Sequence, residues 1–427
     1  MLDTLDTKNA KNQENGNKAH LTIHRGTQEI GGTCIELESN NTKILLDLGL
    51  PLKSMDEDNN KEAYKLDITG LYGEDKPDID AIFITHAHLD HFGLLEFIHP
   101  EIPVYLSKTA YNILTKILPL LGQGDFSHLN LKILEAKKPI KIGKFEVIAH
   151  NVDHSIVDAV AFDINVEGKK ILYTGDLRFH GRKNYLSKNL AKIKDVDYLL
   201  MEGSTLGREN QSQLTEDEVM LKMAELFKGS KLPIVTFSAQ NLDRFISVYK
   251  ACLKAKKTLV IDPYTCYVLE MYKDLSKNIP QFDWNNIAVY FSKNSITDKL
   301  AETKDLYRYK GKKISMDEII AYPKKYTIKD NFKITTEIME RLPIEDLQLI
   351  YSLWEGYLEK PSHIDPLKGS LIHCHTSGHA NAENLKEFVR QIKPKQLIPI
   401  HTEMAGAYHI IFNVPVLVLK DGEAYKV

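Results

Sequence analysis

Apolar residues in the first half of the chain come in short runs broken by turns, and few recur at helical spacing. Residues 21–24, 34–38, 43–46, 81–85, 145–149, 159–166 and 170–174 read as strands, with a Glu167-Gly168 hairpin turn between the last two. Residues 108–121 carry helical periodicity. The character changes near Gly207. Thr215-Glu216-Asp217-Glu218 is a capping box opening an amphipathic helix over 216–227. A strand over 233–237, a helix over 241–256, a strand over 258–261 and a helix over 265–275 follow, an alternation that predicts a parallel α/β unit. Residues 297–345 are helical and charged in pattern. Beyond Pro361 the first style returns, with a strand over 370–373, a helix over 382–392, a strand over 396–400 and a terminal strand pair over 414–419 and 423–426. The pattern therefore predicts one α/β module inserted into another. A polar, disordered leader spans 1–18, the outer domain 19–207, the insert 208–360 and the return segment 361–427.

Composition adds limits. With 427 residues, 43% apolar and 26% charged, the chain is long enough for two domains with proper cores. No apolar run approaches a membrane span, and the first residues lack a signal-peptide segment. Four scattered cysteines (Cys34, Cys252, Cys266, Cys374) without CxxC spacing read as buried thiols of a reducing compartment, so a cytoplasmic location is expected. A net charge of −3 gives no global pull toward nucleic acid, so any polyanion binding must come from local surface and from metals. One candidate track is the run Arg308, Lys310, Lys312, Lys313, Lys324 and Lys325, interleaved with Tyr307, Tyr309 and Tyr326. A solvated face is its plainer explanation.

The chemistry concentrates in Thr85-His86-Ala87-His88-Leu89-Asp90-His91, directly after an apolar strand. Alternate residues of extended chain point the same way, so His86 and His88 are placed to grip one ion while Asp90 and His91 face a second position. Zinc favours imidazole and carboxylate, and a two-metal site is the expectation. Asp47, His154, Asp176 and His401 each follow an apolar strand, at the rim where sites are assembled from several loops.

This set, in this order, resembles the metallo-β-lactamase superfamily. Glu202 at another strand end, Ser377-Gly378-His379 and His401 after Pro399-Ile400 resemble its β-CASP branch, whose members are nucleases. Gln28 to Gly32, Asp153 to Ile156, Thr174-Gly175-Asp176, Thr236-Phe237-Ser238 and His375 to His379 are similar to ribonuclease J. The resemblance implies a metallo-β-lactamase αββα sandwich with an inserted β-CASP α/β domain. It implies one Zn²⁺ on His86, His88 and His154, a second on Asp90, His91 and His401, with Asp176 bridging, and Mn²⁺ as a substitute. Asp47 would orient a ligand imidazole. Two such ions share a hydroxide and neutralise a phosphoryl oxygen. Glu202 would support the site, and His379 would contact the scissile phosphate and protonate the leaving oxygen. A histidine at 401 goes with RNA-acting members.

His375, Thr376, Ser377 and Gly378 would line a phosphate pocket with Ser238, Asn241 and Arg244. Trp354, just before the returning domain, has two readings, a ring that stacks on a base and a core residue at the domain junction. Single-stranded RNA is thus the expected partner, cut from the 5′ end or internally, with homodimeric assembly a further expectation. The chain ends soon after the terminal strand pair, so the additional C-terminal domain of that family is not expected. The competing functions are hydrolysis of a small ester, thioester or lactone, a DNA nuclease, and a silent RNA-binding scaffold.

Overall fold

Two sheets stack through their apolar faces and carry helices outside, while a third sheet forms the insert. The computed structural model describes residues 19–52, 60–73, 76–208 and 213–427, and the expected leader lies outside them. The first sheet runs in the order Ala424–Lys426, His20–Arg25, Cys34–Ser39, Thr42–Leu46, Ala81–Phe83, Pro103–Leu106, Asn130–Ile133. The second runs Gln396–Pro399, Tyr198–Met201, Lys169–Tyr173, Val160–Val166, Phe145–Asn151, Pro139–Ile142. Strand alternation explains the layering. Ile35, Leu37, Ala81 and Phe83 face Phe162, Ile164, Ile171 and Ile398 between the sheets, whereas Cys34 and Ile82 face the outer helices. This is the αββα sandwich.

The third sheet is wholly parallel: Lys313–Ile314, Ile287–Tyr290, Thr258–Ile261, Tyr326–Lys329, Leu232–Thr236, Leu347–Tyr351, Ile372–His373. The helix Glu216–Phe227 opens on the expected capping box, with Thr215 and Glu218 bonded reciprocally.

Four expectations need correction. The strand after Asp80 stops at Phe83, because the Thr85 N–H turns away to the Asp47 carboxylate. Residues 297–345 are not simply helical. Between the helices Ser295–Glu302 and Phe332–Arg341 lies Tyr326–Lys329, an interior strand of the insert, which buries Tyr326, and Tyr309 is buried as well. Neither tyrosine belongs to a surface track. Ile372–His373 pairs with Leu347–Tyr351, so the inserted sheet runs past the boundary expected at 360/361. Finally, 414–419 forms only a single bridge at Val416, since Pro415 lacks a ladder donor, and Ala424–Lys426 pairs with His20–Arg25 instead.

All four cysteines are free and buried. Among the described residues, no helix is long and apolar enough to cross a membrane.

Candidate metal centre between the sandwich and the insert

The ligand candidates converge where the carboxyl ends of the sandwich strands meet the insert. His86 Nε2 lies 2.9 Å from His88 Nδ1, which lies 3.1 Å from His154 Nε2. Asp176 Oδ2 is 3.6 Å from His86 and 3.8 Å from His154. On its other side the same carboxylate stands 3.2 Å from His91 Nε2 and 3.8 Å from His401 Nε2, and Asp90 approaches both of those rings at 3.7–3.8 Å. His86, His88, His154 and Asp176 form one group that could hold an ion and Asp90, His91 and His401 another, and the Asp176 carboxylate stands within 3.8 Å of ring nitrogens of both. A third grouping joins it to Glu202 and His379, 2.9 Å apart.

The surroundings fix these rings. Asp47 accepts from His91 Nδ1 at 2.8 Å, from the Thr85 N–H at 2.7 Å and from the Tyr173 hydroxyl at 2.7 Å. Gly378 O lies 2.6 Å from His154 Nδ1, and Thr33 Oγ1 lies 2.9 Å from His401 Nδ1. With its other nitrogen held, each of these three rings turns Nε2 inward, the arrangement that metal-ligating imidazoles require. The carbonyl of Gly378 comes this close because its residue has no side chain. A Cβ there would stand 2.7 Å from Ser155 Oγ and 3.0 Å from His154 Cε1. Asp47 and His401 adopt left-handed backbone (φ 58° and 53°), uncommon outside glycine and concentrated at functional sites.

Whether this donor set suits a cation is answered by its unmet needs. His91 Nε2, His401 Nε2 and Asp176 Oδ1 are buried without a hydrogen-bond partner, which natural structures rarely tolerate without cause. Three ring nitrogens crowded within 3.1 Å of their neighbours cannot satisfy one another as neutral imidazoles. An ion accepting their lone pairs resolves both problems, and imidazole with carboxylate is zinc-type chemistry.

The electrostatics agree. Burial, joined by the neighbouring imidazoles, holds His86 and His154 well below the usual histidine range; burial also takes His88 to about 4, against the pull of Asp90 and Asp176. Burial opposes charge on His91, but Asp176, Asp90 and Asp47 overcome it and raise that ring well above the usual range. His379 likewise resists burial through Glu202 and Asp176 and rises to about 9. Glu202 itself is anchored by the Leu177 N–H at 2.8 Å and the Ser204 hydroxyl at 2.7 Å.

The residues expected to touch substrate divide. Ser238 is exposed at the carboxyl end of Leu232–Thr236, and Trp354 is half exposed. His375, Ser377 and Gly378 form a partly open loop against His154. Arg244 is not available, being fully buried and bonded to Glu216 and to the carbonyls of Ser352 and Thr376. Asn241 caps the helix Leu242–Lys254, and the buried Thr376 hydroxyl donates to Leu214 O. The sequence pattern assigns no role to Thr33, Thr85, Tyr173 or Arg178. Only adjacency gave a signal, since Thr85 precedes His86 and Arg178 closely follows Asp176.

Residues 68–234 match the family model of the beta-lactamase superfamily domain, and residues 365–410, which contain His379 and His401, match that of the Zn-dependent metallo-hydrolase RNA specificity domain. In both matched regions and in its relatives the chain is similar to ribonuclease J-like proteins of the metallo-β-lactamase superfamily. It is 24% identical to Ribonuclease J of Helicobacter pylori, over 90% of this chain and 56% of that protein. An RNase J-like protein of Methanocaldococcus jannaschii is 22% identical over 90% of this chain and 92% of its own length. The chain therefore spans little more than half of the first bacterial relative, but nearly all of the archaeal one. A crystal structure of a protein of unknown function from Enterococcus faecalis V583 shares the fold, with a TM-score of 0.76 at 21% identity, covering 96% of this chain and 100% of that one.

Proposed function

We propose that this protein is a metal-dependent ribonuclease that hydrolyses phosphodiester bonds of single-stranded RNA, working from the 5′ end, with two zinc ions or manganese in their place. The observation that carries this is Asp176, whose carboxylate stands within 3.8 Å of ring nitrogens of both ligand clusters and groups with Glu202 and His379. The outer domain supplies the ligands, and the insert walls the cleft through which a strand passes.

His86, His88 and His154 with Asp176 would hold one ion, and Asp90, His91 and His401 with Asp176 the other. Ions bound there would neutralise phosphoryl charge and make water a usable nucleophile near neutral pH. The protein's own groups do the rest. Asp47, Thr33 and Gly378 O fix the ring orientations. Glu202 accepts from Nδ1 of a protonated His379, which leaves the Nε2–H to donate to the departing oxygen. The partly open loop 375–378 lies beside that donor and is suited to the phosphate being cut.

Digestion of 5′- and 3′-labelled RNA tests this. Stepwise release of nucleotides from the 5′ end is expected, abolished by Asp90→Ala, by His88→Ala and by chelation. Equal degradation by the Asp90→Ala protein in chelator would sink the proposal. Turnover of a thioester or lactone, with none of RNA, would replace it by small-ester hydrolysis.

A further inference from the structure

Trp354 is half exposed (50%) just beyond the strand Leu347–Tyr351, and the adjacent Tyr357 is more exposed still (57%). Leaving two large aromatic rings in water is a cost that packing does not explain, and paired exposed aromatics mark recognition sites more often than isolated ones do. Their geometry is built. The indole lies over Gly356, where a Cβ would stand 2.2–2.6 Å from three of its ring carbons, so only glycine lets the ring lie down there. Tyr357 braces its edge at 87°, with ring centroids 5.4 Å apart. Arg208 stands off the ring with its guanidinium 5.7 Å from the centroid.

Both segments lead to the metal cluster. Arg208 follows Glu202 and Ser204 in the same loop, whose Thr205 hydroxyl donates to Ala380 O, next to His379. Ser352, just before Trp354, receives Arg244, which also holds Thr376 O in the 375–379 loop.

We propose that Trp354, set by Gly356 and Tyr357 and flanked by Arg208, is a stacking platform for one base of the RNA strand at the mouth of the metal cleft. This rests on the ribonuclease function proposed above. A flat π face with a cation beside it complements a nucleotide, which offers a base to stack and a phosphate to pair. An apolar side chain of a protein partner would leave Arg208 unanswered. Every base has a π face, so the platform holds the strand without selecting its sequence.

The chain has two tryptophans, and the other, Trp284, packs edge-on against Tyr249 in the insert. A Trp284→Phe protein therefore makes Trp354 the sole indole reporter. Metal-loaded protein is mixed rapidly with short oligouridylates, and fluorescence is read before products accumulate. Saturable quenching is expected, lost when one nucleotide of fixed register is made abasic. Trp354→Ala and Gly356→Val should weaken RNA binding roughly 5- to 100-fold, while Trp354→Phe retains most of it. The abasic strand should bind all these proteins alike. RNA that is bound and cut normally with no change in Trp354 emission, or with full affinity in Trp354→Ala, overturns the platform and leaves the ribonuclease proposal standing. A metal-loaded parent that neither binds nor cuts any RNA overturns both.

Discussion

Two buried polar clusters lie side by side in this molecule, and they are built on opposite plans. In the first, His86, His88, His91, His154, His401, Asp90 and Asp176 converge and leave inward-facing atoms without partners. In the second, Arg178 bonds Asp153, Asp243 and Ser377 O, while Arg244 bonds Glu216, Ser352 and Thr376 O. Ser247 completes Glu216 at 2.7 Å, and no atom of either guanidinium is orphaned. A buried charge set that satisfies itself holds elements together. One that does not is waiting for a ligand. The second cluster also serves the first, because it grips the carbonyls of the very loop whose Gly378 O orients His154.

The sharpest way to break the comparison is to remove Asp176, the carboxylate that stands within 3.8 Å of both candidate ligand groups. Asp176→Asn should lower RNA hydrolysis by about 10³-fold or more, corresponding to several kcal/mol of lost charge stabilisation, with the fold intact by circular dichroism. Next in size is Glu216→Gln. It leaves two buried guanidiniums short of their carboxylate and should cost about 3–5 kcal/mol in denaturant unfolding, whether or not metal is present. If the unfolding midpoint of Glu216→Gln stayed at that of wild type, the second cluster would not be structural. Smaller again is Asp47→Asn, which loosens His91 without removing a ligand. Metal affinity, measured by competition with a chromophoric chelator, should fall about 10- to 100-fold, with little effect on the stability of the metal-free protein.

The two clusters also differed in how far the sequence exposed them. The candidate ligands were legible because each follows an apolar strand or lies in the loop after one, and because three histidines and an aspartate crowd that short loop. The second cluster was not. Glu216 reads as the ordinary first-turn acid of a capped helix, and Arg244 reads as a base lining a phosphate pocket with Ser238. Only the tertiary crossing of two helices and two loops reveals that both are buried. The strand Tyr326–Lys329 escaped for a related reason. Its four residues stand among lysines, and their burial comes from parallel neighbours on both sides, which leave no alternation to detect. The αββα sandwich was legible where alternation marks one buried face, and least legible at its edges, where Pro415 leaves a bridge in place of a strand.

Acid supplies the finest separation of the two plans. Burial by itself would raise the Glu216 carboxyl, but Arg244 and Arg178 outweigh it and bring its pKa down to about 2, from 4.5. The unfolded chain therefore takes up this proton first as pH falls. The contribution is fully present above pH 4.5 and is lost as pH drops through 2. The loss from this group should be about 1 kcal/mol by pH 4 and about 2 kcal/mol by pH 3. Glu216→Gln, already destabilised, should lack that part of the acid slope, so wild-type and variant stabilities draw together as pH falls. Urea titrations at stepped pH, run in chelator so that the metal ligands do not add their own protons through bound ions, measure the difference. Parallel curves for the two proteins between pH 6 and 3 would mean that Glu216 is no more ionised in the fold than in the unfolded chain, and the second cluster would lose its electrostatic basis.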